Sequence, residues 1–225
     1  MIRFFDILLS AISLLLLFPL FLPIVILLRS TGEGEILFLQ ERIGKDGKKF
    51  ELFKFATMLK NSPNIGTGTV TMKNDPRVLP IGRFLRKTKI NELPQLLNIF
   101  FGDMSVIGPR PLTSQAFESY SDNTKHFIKK VRPGLSGIGS IVFRAEEELL
   151  HGASGSINFY ENVIAPYKGE LEEWFVLNKS PYIYFVAIFV TAWAVLIPST
   201  KLTWRVFKDL PEPPNDLKQV LNFTD

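Results

Sequence analysis

The chain has 225 residues, 46% of them apolar, with 26 basic against 22 acidic side chains and a formal net charge of +4. That length leaves room for one ordinary domain plus membrane segments, and the positive balance favours anionic partners such as phosphates, acidic headgroups or nucleic acid. With no cysteine at all, a disulfide framework, a thiolate metal site and a cysteine nucleophile are excluded.

The apolar residues collect at the two ends. No charge interrupts Ile7 to Leu28, a run that as one straight helix covers about 33 Å against a hydrocarbon core of about 30 Å. It is too long for a signal-peptide core, and Arg29-Ser30-Thr31 is no small-x-small cleavage site, so the segment is expected to be retained. Basic residues follow it at Arg29, Arg42, Lys45, Lys48 and Lys49 but precede it only at Arg3, which places the globular part on the cytoplasmic face. Pro19 and Pro23 each remove a backbone donor and crowd the carbonyl four residues earlier, so the helix is expected to break there. A kinked spanning helix and a re-entrant hairpin both satisfy the pattern.

Two β-rich runs, Ile36–Leu39 and Phe50–Phe55, flank Lys45-Asp46-Gly47-Lys48 and read as a hairpin, because Asp-Gly supplies the positive φ angles of a tight turn. The polar stretch from Asn61 to Val70 is read as a surface loop, a linker or a cover for a site. Arg77, Arg83, Arg86, Lys87 and Lys89 then alternate with Leu79, Ile81, Phe84 and Leu85. This is an amphipathic pattern suited to an anionic lipid surface, or to a solvated basic face on a soluble domain. No aromatic residues interleave with the bases for stacking, so nucleic acid is not expected as a partner.

Pro94 is tolerated only in the first turn of a helix, which puts Asn91 and Glu92 at or just before a helix N-terminus, with backbone N–H groups that attract phosphate. Arg110, held between Pro109 and Pro111, presents its guanidinium from a stiff support suited to bidentate phosphate binding. Arg132-Pro133-Gly134 repeats that arrangement on a smaller scale. Tyr182 to Pro198 is a second uncharged apolar stretch, read as an interfacial helix or one packed on the domain ahead of a short spanning helix. Lys201, Arg205 and Lys208 border it, and a polar tail follows from Pro211.

Several pieces recur together: Arg3-Phe4-Phe5-Asp6-Ile7, Gln40-Glu41-Arg42-Ile43-Gly44, Lys54-Phe55-Ala56-Thr57-Met58, Asp75-Pro76-Arg77, Gly82-Arg83-Phe84-Leu85-Arg86-Lys87-Thr88, Glu92-Leu93-Pro94-Gln95, Gly102-Asp103-Met104-Ser105, Gly108-Pro109-Arg110-Pro111-Leu112 and Arg132-Pro133-Gly134. In this order they resemble the bacterial sugar transferase family of monotopic polyprenol-phosphate phosphoglycosyl transferases over nearly the whole chain. The resemblance implies a re-entrant N-terminal helix broken at Pro19, although the family's usual Ser before that proline is Phe18 here. It also implies an Asp-Glu pair. The Asp attacks the β-phosphate of a UDP-sugar, UMP leaves, and polyprenyl phosphate takes the phospho-sugar with Mg2+ assisting.

On that resemblance Glu92 is the essential carboxylate and metal ligand. Arg110, with Pro111, Lys54, Arg83, Arg86 and Arg132, makes up the substrate- and phosphate-binding set. Asn91 stands at the nucleophile position, Ala56 where the family commonly has Arg, and Gly134-Leu135-Ser136-Gly137-Ile138-Gly139 lacks a Trp often found after that glycine, which implies an altered sugar pocket. Asn91 leaves four accounts open: Glu92 as nucleophile, direct attack by the acceptor with Glu92 holding Mg2+, an engineered substitution, or an inactive protein. A catalytically silent membrane scaffold of the same fold is the alternative to an active enzyme.

The expected fold is α/β and mostly helical, with a re-entrant membrane helix, a small β-hairpin and amphipathic interfacial helices. Its expected divisions are 1–30 (membrane helix), 31–180 (cytoplasmic catalytic domain), 181–200 (apolar helix) and 201–225 (basic border and tail). The expected partners are a UDP-sugar, polyprenyl phosphate and the lipids of the bacterial inner membrane, with the oligomeric state, a homo-oligomer included, left open.

Overall fold

A computed structural model describes residues 1–31, 33–65, 75–144, 159–197 and 201–223. Helix α1 (Ile2–Ser30) is followed by strands β1 (Leu37–Ile43) and β2 (Lys49–Phe55), which pair as a two-stranded sheet. The turn between them bears out the Asp-Gly reading, with Asp46 at φ 59° and Gly47 at φ 73°.

The expected break at Pro19 is not found, since α1 continues as one helix through Pro19 and Pro23. The two prolines are one turn apart, so the carbonyls they leave unpaired, those of Leu15 and Pro19, fall on one side of the helix and the remaining ladder persists. Among the described residues α1 is the one helix long and apolar enough to cross a membrane by length and composition.

The chain divides into two compact units. One comprises Ile7–Glu41 and Glu51–Gly102 and contains α2 (Pro80–Lys87) and α3 (Gln95–Phe101). Its core joins Ile24 and Leu28 of α1, Phe55 of β2 and Leu85 of α2, with Phe21, Ile36, Ile81 and Ile90 packed around them. The apolar face expected to rest on lipid is therefore partly spent on this core, and of its four apolar members Phe84 is the exposed one, at 57%.

Gly82 lies so close to Thr57 that a Cβ would sit 2.1 Å from the Thr57 carbonyl oxygen, which explains the glycine that opens α2's basic motif. Arg77 is not part of a basic surface. It is buried with its Nε donating to Asp75 Oδ1 at 2.9 Å, its Nη2 to Asp75 Oδ2 at 2.6 Å, and its Nη1 to the carbonyls of Ser62 and Ile65. Of the expected polar loop, Ser62–Asn64 form a 3-10 turn, and residues 66–70 lie outside the described residues. Asn98 of α3 ties down β2, accepting the Phe53 N–H and donating to the Glu51 carbonyl.

The other unit comprises Met1–Asp6, Arg42–Phe50 and Asp103–Asp225. In it β3 (Ser105–Ile107) and β4 (Gly134–Ser136) pair in parallel with Ser105 opposite Gly134. Around them are α4 (Ser114–Glu118), α5 (Asp122–Ile128), α6 (Ile138–Val142), α7 (Ala165–Leu177) and α8 (Pro181–Leu196). Helices α9 (Leu202–Val206) and α10 (Asn215–Lys218) close the chain.

Sixteen residues give α8 a length of about 24 Å, short of a hydrocarbon core. It packs on β3 and α6 through buried Tyr184, Ala187, Val190 and Ala194, while Tyr182, Phe185, Phe189, Trp193 and Leu196 face outward. The residues expected to form a polar tail pack back instead: Leu217 and Leu221 are buried, and Trp204 Nε1 donates to the Leu221 carbonyl.

Candidate active site

Asn91 and Glu92 occupy a 3-10 turn, Ile90–Glu92, entered through Lys89 at φ 59°. The turn commits its own donors. The Glu92 N–H bonds the Lys89 carbonyl, Leu93 that of Ile90, Leu96 that of Leu93 and Leu97 that of Pro94, all at 3.0–3.1 Å. The free backbone N–H groups expected to draw phosphate here are thus largely used up, because short i to i+3 bonds replace open helix ends, and recognition falls to side chains.

Asn91 is buried with its Oδ1 lacking a hydrogen-bond partner among the described residues. An orphaned buried acceptor costs about 1–3 kcal/mol and marks a place for a water, an ion or a substrate atom. Glu92 beside it is half-buried. Helix α2 packs on this turn, carrying exposed Arg83 and half-buried Arg86, whose Nη1 lies 3.6 Å from Met58 Sδ. Lys54 is half-buried on β2.

In the other unit the two arginine-proline segments come together backbone to backbone. The Gly134 N–H donates to the Pro109 carbonyl at 2.8 Å and the Gly108 N–H to Ser136 at 2.9 Å. A Cβ on Gly134 would lie 2.1 Å from the Gly108 nitrogen, and one on Gly108 2.4 Å from the Arg132 carbonyl. Only glycines permit that approach. On the other side Arg42 Nη1 donates to the Pro111 carbonyl at 3.1 Å and the Ile43 N–H to Leu112 at 2.9 Å. Pro111 is buried and Arg132 half-buried, whereas the Arg110 side chain is exposed and has no polar partner among the described residues. Arg110 thus stands on a shelf fixed on both flanks, with its guanidinium available to an anion.

Behind the shelf lies Glu172 of α7, buried, with Oε1 accepting the Arg110 N–H at 3.5 Å. Burial pushes its carboxyl up to about 7, against the opposing pulls of the Arg110 N–H and of the Lys168 and Arg110 charges.

The sequence profile described as bacterial sugar transferase matches residues 1–198. The chain belongs to the bacterial sugar transferase family. Exopolysaccharide production protein ExoY of Rhizobium meliloti (strain 1021) is 39% identical over 153 residues, 62% of this chain and 67% of that protein. The UDP-glucose:undecaprenyl-phosphate glucose-1-phosphate transferase of Klebsiella pneumoniae is 36% identical over 162 residues, 70% of this chain and 34% of that protein. The undecaprenyl-phosphate galactose phosphotransferase of Salmonella typhimurium is 34% identical over 153 residues, 62% of this chain and 32% of that protein. The chain thus spans about a third of the length of the latter two.

As a bacterial sugar transferase the protein is an enzyme, and two of its buried carboxylates escaped the reading of the sequence. Glu172 lies among Glu170 and Glu173 with no pattern to single it out. Asp6 had a signal, an acid placed immediately before an uncharged run of apolar residues. Its Oδ1 accepts from Ser105 Oγ at 2.9 Å, the Val106 N–H at 2.9 Å and Tyr184 Oη at 2.8 Å, joining the start of α1 to β3 and α8. Asp6→Ala would orphan these donors, and we expect a loss of about 3 kcal/mol or more of stability in chemical denaturation, with Asp6→Asn milder because it retains an acceptor.

Proposed function

We propose that this sugar transferase moves a sugar-1-phosphate from a UDP-sugar to polyprenyl (undecaprenyl) phosphate, at the cytoplasmic face of the bacterial inner membrane, as the first membrane step of glycan or polysaccharide assembly. An oxygen of the acceptor phosphate becomes bonded to the β-phosphorus, the bond from that phosphorus to the bridging oxygen breaks, and UMP departs with that oxygen. The observation that carries the reading is the Arg110 shelf, a guanidinium fixed from both flanks and open to a diphosphate, in a chain whose relatives are named for this transfer.

Glu92 is the essential carboxylate in this reading, and Lys54, Arg83, Arg86 and Arg132 supply further positive charge. Mg2+ takes few protein ligands, often one or two carboxylates with phosphates and water, and Glu92 with the orphaned Asn91 Oδ1 offers an oxygen set that fits it. When bound, Mg2+ would neutralise charge on the transferring phosphoryl group. The exposed apolar surface of α1 and the outward aromatic row of α8 suit lipid contact.

Purified protein incubated with Mg2+, undecaprenyl phosphate and a panel of UDP-sugars should release UMP with at least one of them. Absence of UMP across the panel would favour the second reading, a catalytically silent scaffold, which rests on Asn91 at the nucleophile position.

A further inference from the structure

The carboxyl of Glu172 lies against two glycines, and it is the missing side chain of Gly139 that leaves it room. A Cβ on Gly139 would lie 2.6 Å from Oε1 and one on Gly137 3.8 Å from Oε2. Oε2 has no hydrogen-bond partner among the described residues, while Oε1 reaches the backbone of Arg110. A buried acid held against the residue that receives an anion is more than packing, since any apolar side chain of similar size would fill the space without the desolvation cost.

We propose that Glu172 is a positioning residue that links occupancy of Arg110 by a diphosphate to uptake of a proton on its own carboxyl. The proposal rests on the donor reading given above. In the empty site the Arg110 and Lys168 charges favour the ionised carboxylate and burial favours the neutral acid, so both forms coexist near neutral pH. A diphosphate on Arg110 cancels part of that attraction and adds negative charge nearby, and both effects raise the carboxyl's affinity for a proton. Linkage is reciprocal, so protonated enzyme binds the donor more tightly and affinity falls as pH rises through about 7.

Among the described residues the surrounding charges are few. Lys168 lies one turn earlier on α7, between the rings of Phe143 and Tyr160, and Arg110 comes from the shelf. Helix α6 carries no titratable residue. Helix α5 carries Asp122, Lys125 and His126, and it is Glu173, not Glu172, that meets Thr124 and Asn123 from that helix.

The test is calorimetric binding of UDP-glucose and UDP-galactose, whose diphosphates do not titrate near neutrality, in buffers of different ionisation enthalpy between about pH 6 and pH 8.5. Wild type should take up protons on binding, most strongly just above neutral pH, and its Kd should rise about fivefold across the range. Glu172→Gln, which keeps an acceptor for the Arg110 N–H, should bind without uptake and show a flat Kd profile. His126→Gln and His151→Gln, which replace the two histidines of the sequence, should behave as wild type. Binding without uptake by wild type, unchanged uptake in Glu172→Gln, or uptake that follows either histidine would overturn the linkage and leave the donor reading intact. Should neither of these bind, the measurement is run across the panel of UDP-sugars, and failure of wild type to bind any of them would overturn the donor reading, and the linkage with it.

Discussion

Glu92→Gln is expected to lower UMP release by at least about a hundredfold, the usual scale for loss of a group that acts on the transition state. The substitution is nearly isosteric, and Glu92 is only half-buried in a turn held by backbone bonds. Stability should therefore change by no more than about 0.5 kcal/mol. Binding of UDP-sugar through Arg110 should largely persist, so the loss should fall on turnover more than on KM. Arg110→Lys should show the opposite balance: the point charge remains, but the planar fork that grips two phosphate oxygens is lost, and the donor KM should rise. Turnover at the wild-type rate in Glu92→Gln would remove that carboxylate from the mechanism.

Local chemistry made some of this arrangement readable in advance. Asp46-Gly47 dictated a turn that the backbone adopts, and the prolines around Arg110 announced a stiff loop. What stiffens it further comes from distant sequence: Gly134 from one side, Arg42 and Ile43 from the other, and Glu172 from beneath. The parallel pair β3 and β4 was invisible because three-residue strands carry no usable alternation. Arg77 misled because a charge count along the chain treats every arginine as surface, whereas Asp75 two residues earlier is what allows this one to be buried. The prolines of α1 misled in the other direction. Local rules set the cost of a proline in a helix, but Ile24 and Leu28, packed on Phe55 and Leu85, hold the segment beyond Pro23 helical.

Asn91→Asp is expected to change the reaction itself. An amide oxygen is a poor nucleophile, whereas a carboxylate in the same place can attack the β-phosphorus, expel UMP and hold the sugar phosphate as an acyl phosphate. Asp matches Asn in size, and the position already presents an oxygen with no described partner to compete for it. Incubated with UDP-sugar alone, the variant should gain the mass of a sugar phosphate, an adduct that hydroxylamine removes, and its UMP release should exceed that of wild type by about tenfold or more. Burial opposes ionisation of the new acid, so the gain should grow as pH rises toward and above neutrality. The same burial should cost about 1–3 kcal/mol of stability. An adduct on wild-type protein would instead point to a nucleophile already present, with Glu92 the first to test. If Asn91→Asp forms no adduct and turns over no faster than wild type, residue 91 does not face the transferring phosphoryl group, and direct attack by the acceptor becomes the route to examine.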